Sequence, residues 1–334
     1  MRRRPWWIAA PVTLVLLALL DLAVRAWHPW PARLPQHFST AYFDRLLDDR
    51  RNAPGLVVLA GDSVVWGYKL EADRSLGAQL QAALPQQPIL NLSVEGGSPA
   101  NTYVAVSELL RHGVRPRLVV LNLNLKEFSP GDRSYERILP AFERAARALP
   151  AAERSGMVFQ DGSHPTAAAQ AIERVWAFYR YRTDIRQLLF GDADAASRLS
   201  TIAQDLSGRS ARQTAIDAPT ADKYLGTYDL TPITAANASL HYTALTLRAL
   251  HARGIPVLAF ATPANHALLH DTIDVPEYDA NRARVAAAAR ADGARVVDYD
   301  RAFAGDAFFD NDHLKAGPTR ALAERLAAEI GRTR

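Results

Sequence analysis

Not one of the 334 residues is a cysteine. Structural disulfides, thiolate zinc sites and a cysteine nucleophile are excluded at once, and either redox compartment stays open to the chain. A charge excess is missing as well. The formal net charge is +4, and residues 1–30 alone carry +3 of it, through Arg2, Arg3, Arg4 and Arg25 against Asp21. The pI of 9.4 therefore reports a basic tail on a near-neutral body, which argues against nucleic acid as a partner. There is no internal repeat and no low-complexity tract. With 49% hydrophobic and 22% charged residues, wholesale disorder is excluded too.

One long hydrophobic run is present. Trp6–Val24 is a 19-residue apolar stretch interrupted by Thr13 and Asp21, enough to cross a hydrocarbon core of roughly 30 Å as a helix. Arg2–Arg4 before it predict a cytoplasmic N-terminus and an extracytoplasmic remainder. Trp6 and Trp7 at one end, with Trp27 and Trp30 past the other, suit interfacial anchors. Asp21 falls in the last turn, where a carboxylate reaches the headgroups. A cleaved signal peptide shares the basic and apolar regions, but Arg25 and Trp27 stand where its small-residue cleavage site is needed. The expectation is a single-pass protein of a bacterial inner membrane whose folded domain is extracytoplasmic, in the periplasm. Residues 1–30 then form the tail and transmembrane anchor. Residues 31–53 form a linker and lead-in stiffened by Pro31 and Pro35, and 54–334 the folded domain.

Beyond the linker, short β-branched runs alternate with helical patterns. Leu56–Ala60, Ile89–Leu92, Leu118–Leu125, Ile255–Ala261 and Ala294–Asp298 read as strands. Helices are predicted around Leu76–Leu84, Asn101–Arg111, Leu240–Arg253, Tyr278–Ala291 and Pro318–Ile330. This alternation predicts an α/β fold, a parallel sheet covered on both faces in three layers. The stretch of about 129–238 breaks the rhythm and is too long for a loop. It carries helical pieces of its own, Ala141–Ala148 and Ala167–Leu189, and reads as an inserted helical cap.

The chemistry-bearing residues lie at strand ends. Gly61-Asp62-Ser63 directly follows the first strand, where ligands gather in an open parallel sheet. A serine on such a turn can act as a nucleophile whose own N–H helps hold an oxyanion; an ordinary capped turn has the same sequence. At the far end stands Asp310-Asn311-Asp312-His313. A serine hydroxyl needs a base and the base an orienting carboxylate, and Asp310 and His313, three apart in a turn, can be in contact. Asp62, Thr262 and Asn265 are candidates to line the substrate path, and plain turns explain them equally well.

Gly61-Asp62-Ser63 and Asp310-x-x-His313, at opposite ends of an α/β chain, resemble the SGNH (GDSL-type) hydrolases and acyltransferases. Between them, Asn91-Leu92-Ser93-Val94-Glu95-Gly96-Gly97 is similar to the family's second block. The resemblance covers about residues 54–128 and 240–331 and implies a flavodoxin-like SGNH fold. It further implies Ser63 as nucleophile, His313 as general base and acid, and Asp310 as the orienting carboxylate. The oxyanion hole would comprise the N–H groups of Ser63 and Gly96, with Gly97 as the alternative to Gly96. The third block departs from the family: its Asn-Asp pair falls by register on Lys126-Glu127, leaving Asn124, or alternatively Asn122, to supply an amide. No metal and no cofactor is expected, because this reaction class needs neither.

Anchoring narrows the class further. A tethered SGNH domain outside the cytoplasm resembles the proteins that acylate envelope polymers. The resemblance implies an acyl-bearing glycan or lipid substrate, with a multi-span membrane acyltransferase as candidate partner. An anchored esterase or lipase is one alternative reading, and a weakly catalytic scaffold or binding protein of an envelope acylation complex is the other.

Overall fold

A computed structural model describes residues 6–26, 32–129, 136–159, 167–190, 220–224 and 226–333. Five strands form one wholly parallel sheet: β1 Val57–Ala60, β2 Ile89–Asn91, β3 Leu118–Leu123, β4 Val257–Ala261 and β5 Arg295–Asp298. Their order is β2-β1-β3-β4-β5, that of flavodoxin-like doubly wound sheets. β1, β3 and β4 are buried at every residue, as strands covered on both faces must be. The order reverses between β1 and β3, so the crevice beyond their carboxyl ends is the ligand position of such folds.

Alternate side chains of each strand enter different cores, because successive residues face opposite sides of a sheet. Val58, Ala60, Val119, Leu121 and Ala259 pack with the helices Thr40–Arg50, Pro99–Arg111, Ala238–His251 and Pro276–Ala291. Val57, Leu59, Leu118, Val120, Leu258 and Phe260 pack with Leu76–Ala83 and Ala316–Arg332. The N-terminal ends of these helices are sequence-encoded. Ser75, Ser98 and Asn237 cap three of them by accepting from a backbone N–H within the first turn.

Two expected boundaries move. Residues 31–53 are more than a linker: Leu34, Phe38, Tyr42, Phe43 and Leu47 belong to the main core. The first part of the stretch expected to form a cap is core as well. Ile138, Phe142, Ala146 and Met157 join that same cluster, and Phe142 packs edge-on against Phe38 and Phe43 at 5.6 and 5.2 Å. The expected helix Ala167–Leu189 is three short ones, Ala167–Val175, Ala177–Arg180 and Arg182–Phe190. The remainder of 129–238 lies largely outside the described residues.

Among the described residues no helix is long and apolar enough to cross a membrane. The helix Trp6–Ala26 has described side chains from Ala10 onward. The run from Val12 to Leu22 nevertheless exposes Val12, Leu14, Val15, Leu16, Leu17, Leu19, Leu20 and Leu22. The expected anchors Trp27 and Trp30 lie outside the described residues, as do Arg2–Arg4.

The place of Phe142 in the main core has a measurable consequence. Phe142→Ala is expected to lower the free energy of the global unfolding transition by about 3–5 kcal/mol, read by chemical denaturation. A residue on an independent cap would leave that transition where it is.

Candidate active site

The turn after β1 presents Ser63. Gly61 has φ 152°, and a Cβ there would fall 1.8 Å from Asn122 Oδ1, so no side chain fits. Asp62 caps the short helix Ser63–Trp66, its carboxylate accepting from Val64 N–H at 2.8 Å. Ser63 is the first residue of that turn and remains partly exposed.

The loop that carries His313 folds on itself. Phe309 N–H donates to His313 O at 2.8 Å, and Asp310 Oδ1 accepts from His313 N–H at 3.0 Å. Asn265, after β4, fastens this loop to the sheet: its backbone N–H donates to Asn311 O at 2.8 Å and its side-chain amide to Asp310 O at 2.9 Å. Residues 250 positions apart thereby meet, with Ser63 Oγ 2.9 Å from His313 Nε2. On the other side of the ring, His313 Nδ1 lies 2.8 Å from Asp310 Oδ1. Tyr68 covers the imidazole at a centroid distance of 4.7 Å, and Lys69 Nζ donates to Asp310 Oδ2 at 3.2 Å.

The electrostatics follow from burial and partners. Burial opposes charge on His313, but the Asp312 carboxylate and the hydrogen bond to Asp310 outweigh it and hold the pKa above the ordinary value. Burial likewise opposes charge on Asp310, yet the bond from His313 and the imidazolium charge keep its pKa well below the carboxylate range. The ring is thus primed to carry a proton, as a base that takes one from an alcohol must be.

Behind the ring lies a second buried cluster. Asn124 donates one amide hydrogen to Asp62 Oδ2 at 2.7 Å and the other to Asp312 Oδ2 at 2.8 Å. Asn122 donates to Asp62 Oδ1 at 2.8 Å and to Thr262 Oγ1 at 3.2 Å. Lys126, only 13% exposed, pairs with the same Asp312 oxygen. Burial opposes charge on Lys126, and the neighbouring Asp312 more than restores it. Burial and the adjacent Asp62 push the Glu127 carboxyl well above the usual range.

These contacts correct the expected oxyanion donors. An amide nitrogen has two hydrogens, and in Asn124 and Asn122 both are spent on buried partners, so neither is free to serve as an oxyanion donor. Gly97 is also excluded, because its N–H donates to Val94 O at 3.1 Å. The N–H groups of Ser63 and Gly96 have no acceptor among the described residues. Asp62, Thr262 and Asn265 do not line a substrate path either. All three are buried and hold the turn, the third strand end and the C-terminal loop together.

Asp310, Asp312 and His313 each bring a ligand-type atom within 4.8 Å of the others. Lys69 and Lys126 already neutralise the two carboxylates, and a cation there would have to displace both. Sequence reasoning passed over Asp312 and Lys126 as contributors. Lys126 lies in the single turn Leu125–Phe128 beyond β3, and nothing local in the sequence pairs it with Asp312.

No family model and no curated protein matches the sequence. Among solved structures, a protein from Desulfitobacterium hafniense DCB-2 described as a lipolytic protein of the G-D-S-L family aligns with 82% of this chain and 98% of its own. The identity is 11% and the TM-score 0.38. A likeness at that level says nothing about chemistry, which rests on the side chains above.

The Lys126–Asp312 pair gives a stability test. Lys126→Met leaves a buried carboxylate uncompensated and is expected to destabilise the fold by about 3–5 kcal/mol. Lys126→Met/Asp312→Asn should recover most of that loss in the same denaturation experiment, since replacing both partners removes the stranded charge.

Proposed function

We propose that this chain is a membrane-anchored serine acyl-transfer enzyme that moves O-acyl groups of cell-envelope glycans or related polymers through an acyl-enzyme. The observation that carries this reading is the unbroken relay from Ser63 Oγ to His313 Nε2 and from His313 Nδ1 to Asp310 Oδ1, at 2.9 and 2.8 Å. The order and spacing of these residues resemble the SGNH hydrolases.

In the first half-reaction Ser63 Oγ bonds to the ester carbonyl carbon while its proton passes to His313 Nε2. The tetrahedral oxyanion is held by the N–H groups of Ser63 and Gly96. Its collapse breaks the bond to the departing alcohol oxygen, which takes the proton from Nε2. In the second half, a hydroxyl gives its proton to Nε2 and bonds to the acyl carbon, and Ser63 leaves with that proton. Water as acceptor gives hydrolysis; a sugar hydroxyl gives transfer. With no side-chain amide in the oxyanion hole, turnover is modest, because one such donor is typically worth ~10²–10³.

Membrane anchoring is supported by the apolar run Trp6–Val24 and by the leucine and valine side chains that the helix leaves uncovered. Under this reading the tether concentrates the enzyme near membrane-bound donors and acceptors. A multi-span membrane acyltransferase is the partner that fits as acyl source.

A fluorophosphonate probe is expected to label the wild-type chain and not Ser63→Ala; equal labelling of both would end this reading. Only neutral His313 can accept the serine proton, and its pKa lies above the ordinary 6.5. The labelling rate should therefore rise with pH through a midpoint above 6.5 and flatten beyond it. Hydrolysis of p-nitrophenyl acetate that slows as a glycan acceptor becomes acylated marks a transferase. Hydrolysis indifferent to every acceptor marks the esterase alternative, and a cellular phenotype untouched by Ser63→Ala marks the scaffold.

A further inference from the structure

The imidazole of His313 meets two carboxylates. Asp310 Oδ1 lies 2.8 Å from Nδ1, and Asp312 Oδ1 lies 3.1 Å from the same nitrogen. Asp312 is 1% exposed, and its two oxygens differ in kind. Oδ2 receives the Asn124 amide and the Lys126 ammonium. Oδ1 is buried with no hydrogen-bond donor of its own and lies against the ring. A buried carboxylate oxygen left in that state is costly, unless a proton on the facing nitrogen is shared with it. Resting on the acyl-transfer reading above, we propose that Asp312 is a second positioning carboxylate, fixed by Lys126 and Asn124, so that two carboxylates rather than one hold the His313 ring at Nδ1.

The charges around the ring make this arrangement workable. Two ionised carboxylates at one imidazole would bind its proton too tightly for it to be returned to a leaving group. Each is met by one lysine: Lys69 on Asp310 and Lys126 on Asp312. The other groups facing the cluster are the Tyr68 ring over His313, the Tyr224 phenol beside Asp310 and Asp312, and Tyr228 beside Asn311 and Lys126. Asp62 and Glu127 lie beyond Lys126. When Ser63 Oγ passes its proton to Nε2, the Nδ1 proton stays in place. The new positive charge is shared between the two acceptors, and no other proton needs to move.

The test uses the full-length chain and the pH dependence of fluorophosphonate labelling. Labelling of wild type at Ser63 must be present first, and its absence would overturn the acyl-transfer reading rather than this one. Asp312→Asn removes a charge that stabilises the imidazolium, so the midpoint of the profile should move about 1 unit to lower pH. A residue that only props up the loop would alter the rate without moving the midpoint. Asp310→Asn should slow labelling by about 10–10²-fold, against roughly 10⁴-fold where a triad has a single orienting carboxylate. Adding Asp312→Asn to it should bring the rate down to that of His313→Ala. Where Asp312→Asn does not fold, Lys126→Met/Asp312→Asn replaces it, with the midpoint moving the same way; where neither folds, Asp310→Asn decides alone. A wild-type midpoint in the variant that folds, or Asp310→Asn labelling as slowly as His313→Ala, would overturn the proposal.

Discussion

The side-chain amide of Asn124 joins the three segments from which the site is made. It gives one hydrogen to Asp62 at the end of β1 and the other to Asp312 in the C-terminal loop, positions 62 and 188 residues away. Ser63 is the neighbour of Asp62, and His313 the neighbour of Asp312. The separation of hydroxyl and imidazole is therefore fixed by a buried hydrogen-bonded bridge behind them, as well as by the contact they make. Buried polar networks of this kind are rigid when every member is satisfied and costly when one is not. The third strand end thus serves a structural purpose, with both amides turned inward.

Charge completes that constraint. The two carboxylates at the ring, Asp310 and Asp312, each pair with one ammonium group, Lys69 and Lys126. Burial opposes charge on His313, yet Asp312 and the bond to Asp310 still hold its pKa above the ordinary value. A proton arriving on the imidazole therefore meets stabilising partners, which is the condition a general base needs in a low-dielectric site. Lys126 in this position is consistent with a polar core that spends its third strand end on charge pairing.

Much of this was legible from local pattern. The five strands stand at the β-branched runs, with ends shifted by one or two residues, because such runs suit a sheet core, and β1, β3 and β4 are buried at every residue. Ser63, Asp310 and His313 stood out because each lies in a short motif at a strand end, and the structure brings the three together. Long-range partnership was not legible. That Lys126 meets Asp312, or which way the amides of Asn122 and Asn124 turn, depends on contacts across the sheet that no spacing encodes. Phe142 failed in the same manner: an amphipathic helix announces that it has a partner and does not say which. Residues 31–53 read as a linker because prolines mark a stiff start, while the apolar residues that follow decide the packing.

One further tie links the site to the N-terminal helix. Trp66 closes the short helix that begins with Ser63, and its indole N–H donates to Leu34 O at 2.7 Å. Arg33 stacks on the same indole, 3.7 Å from its centroid, and donates to Gly67 O at 2.6 Å. The chain is thus pinned beside the nucleophile within seven residues of Ala26, where the N-terminal helix ends. Seven residues reach at most about 25 Å. With that helix set in a bilayer, Ser63 would be held close above the surface, and an acceptor on a membrane-bound polymer would meet it at a high effective concentration. A substrate carried on the bilayer would gain from such a tether in hydrolysis and in transfer alike.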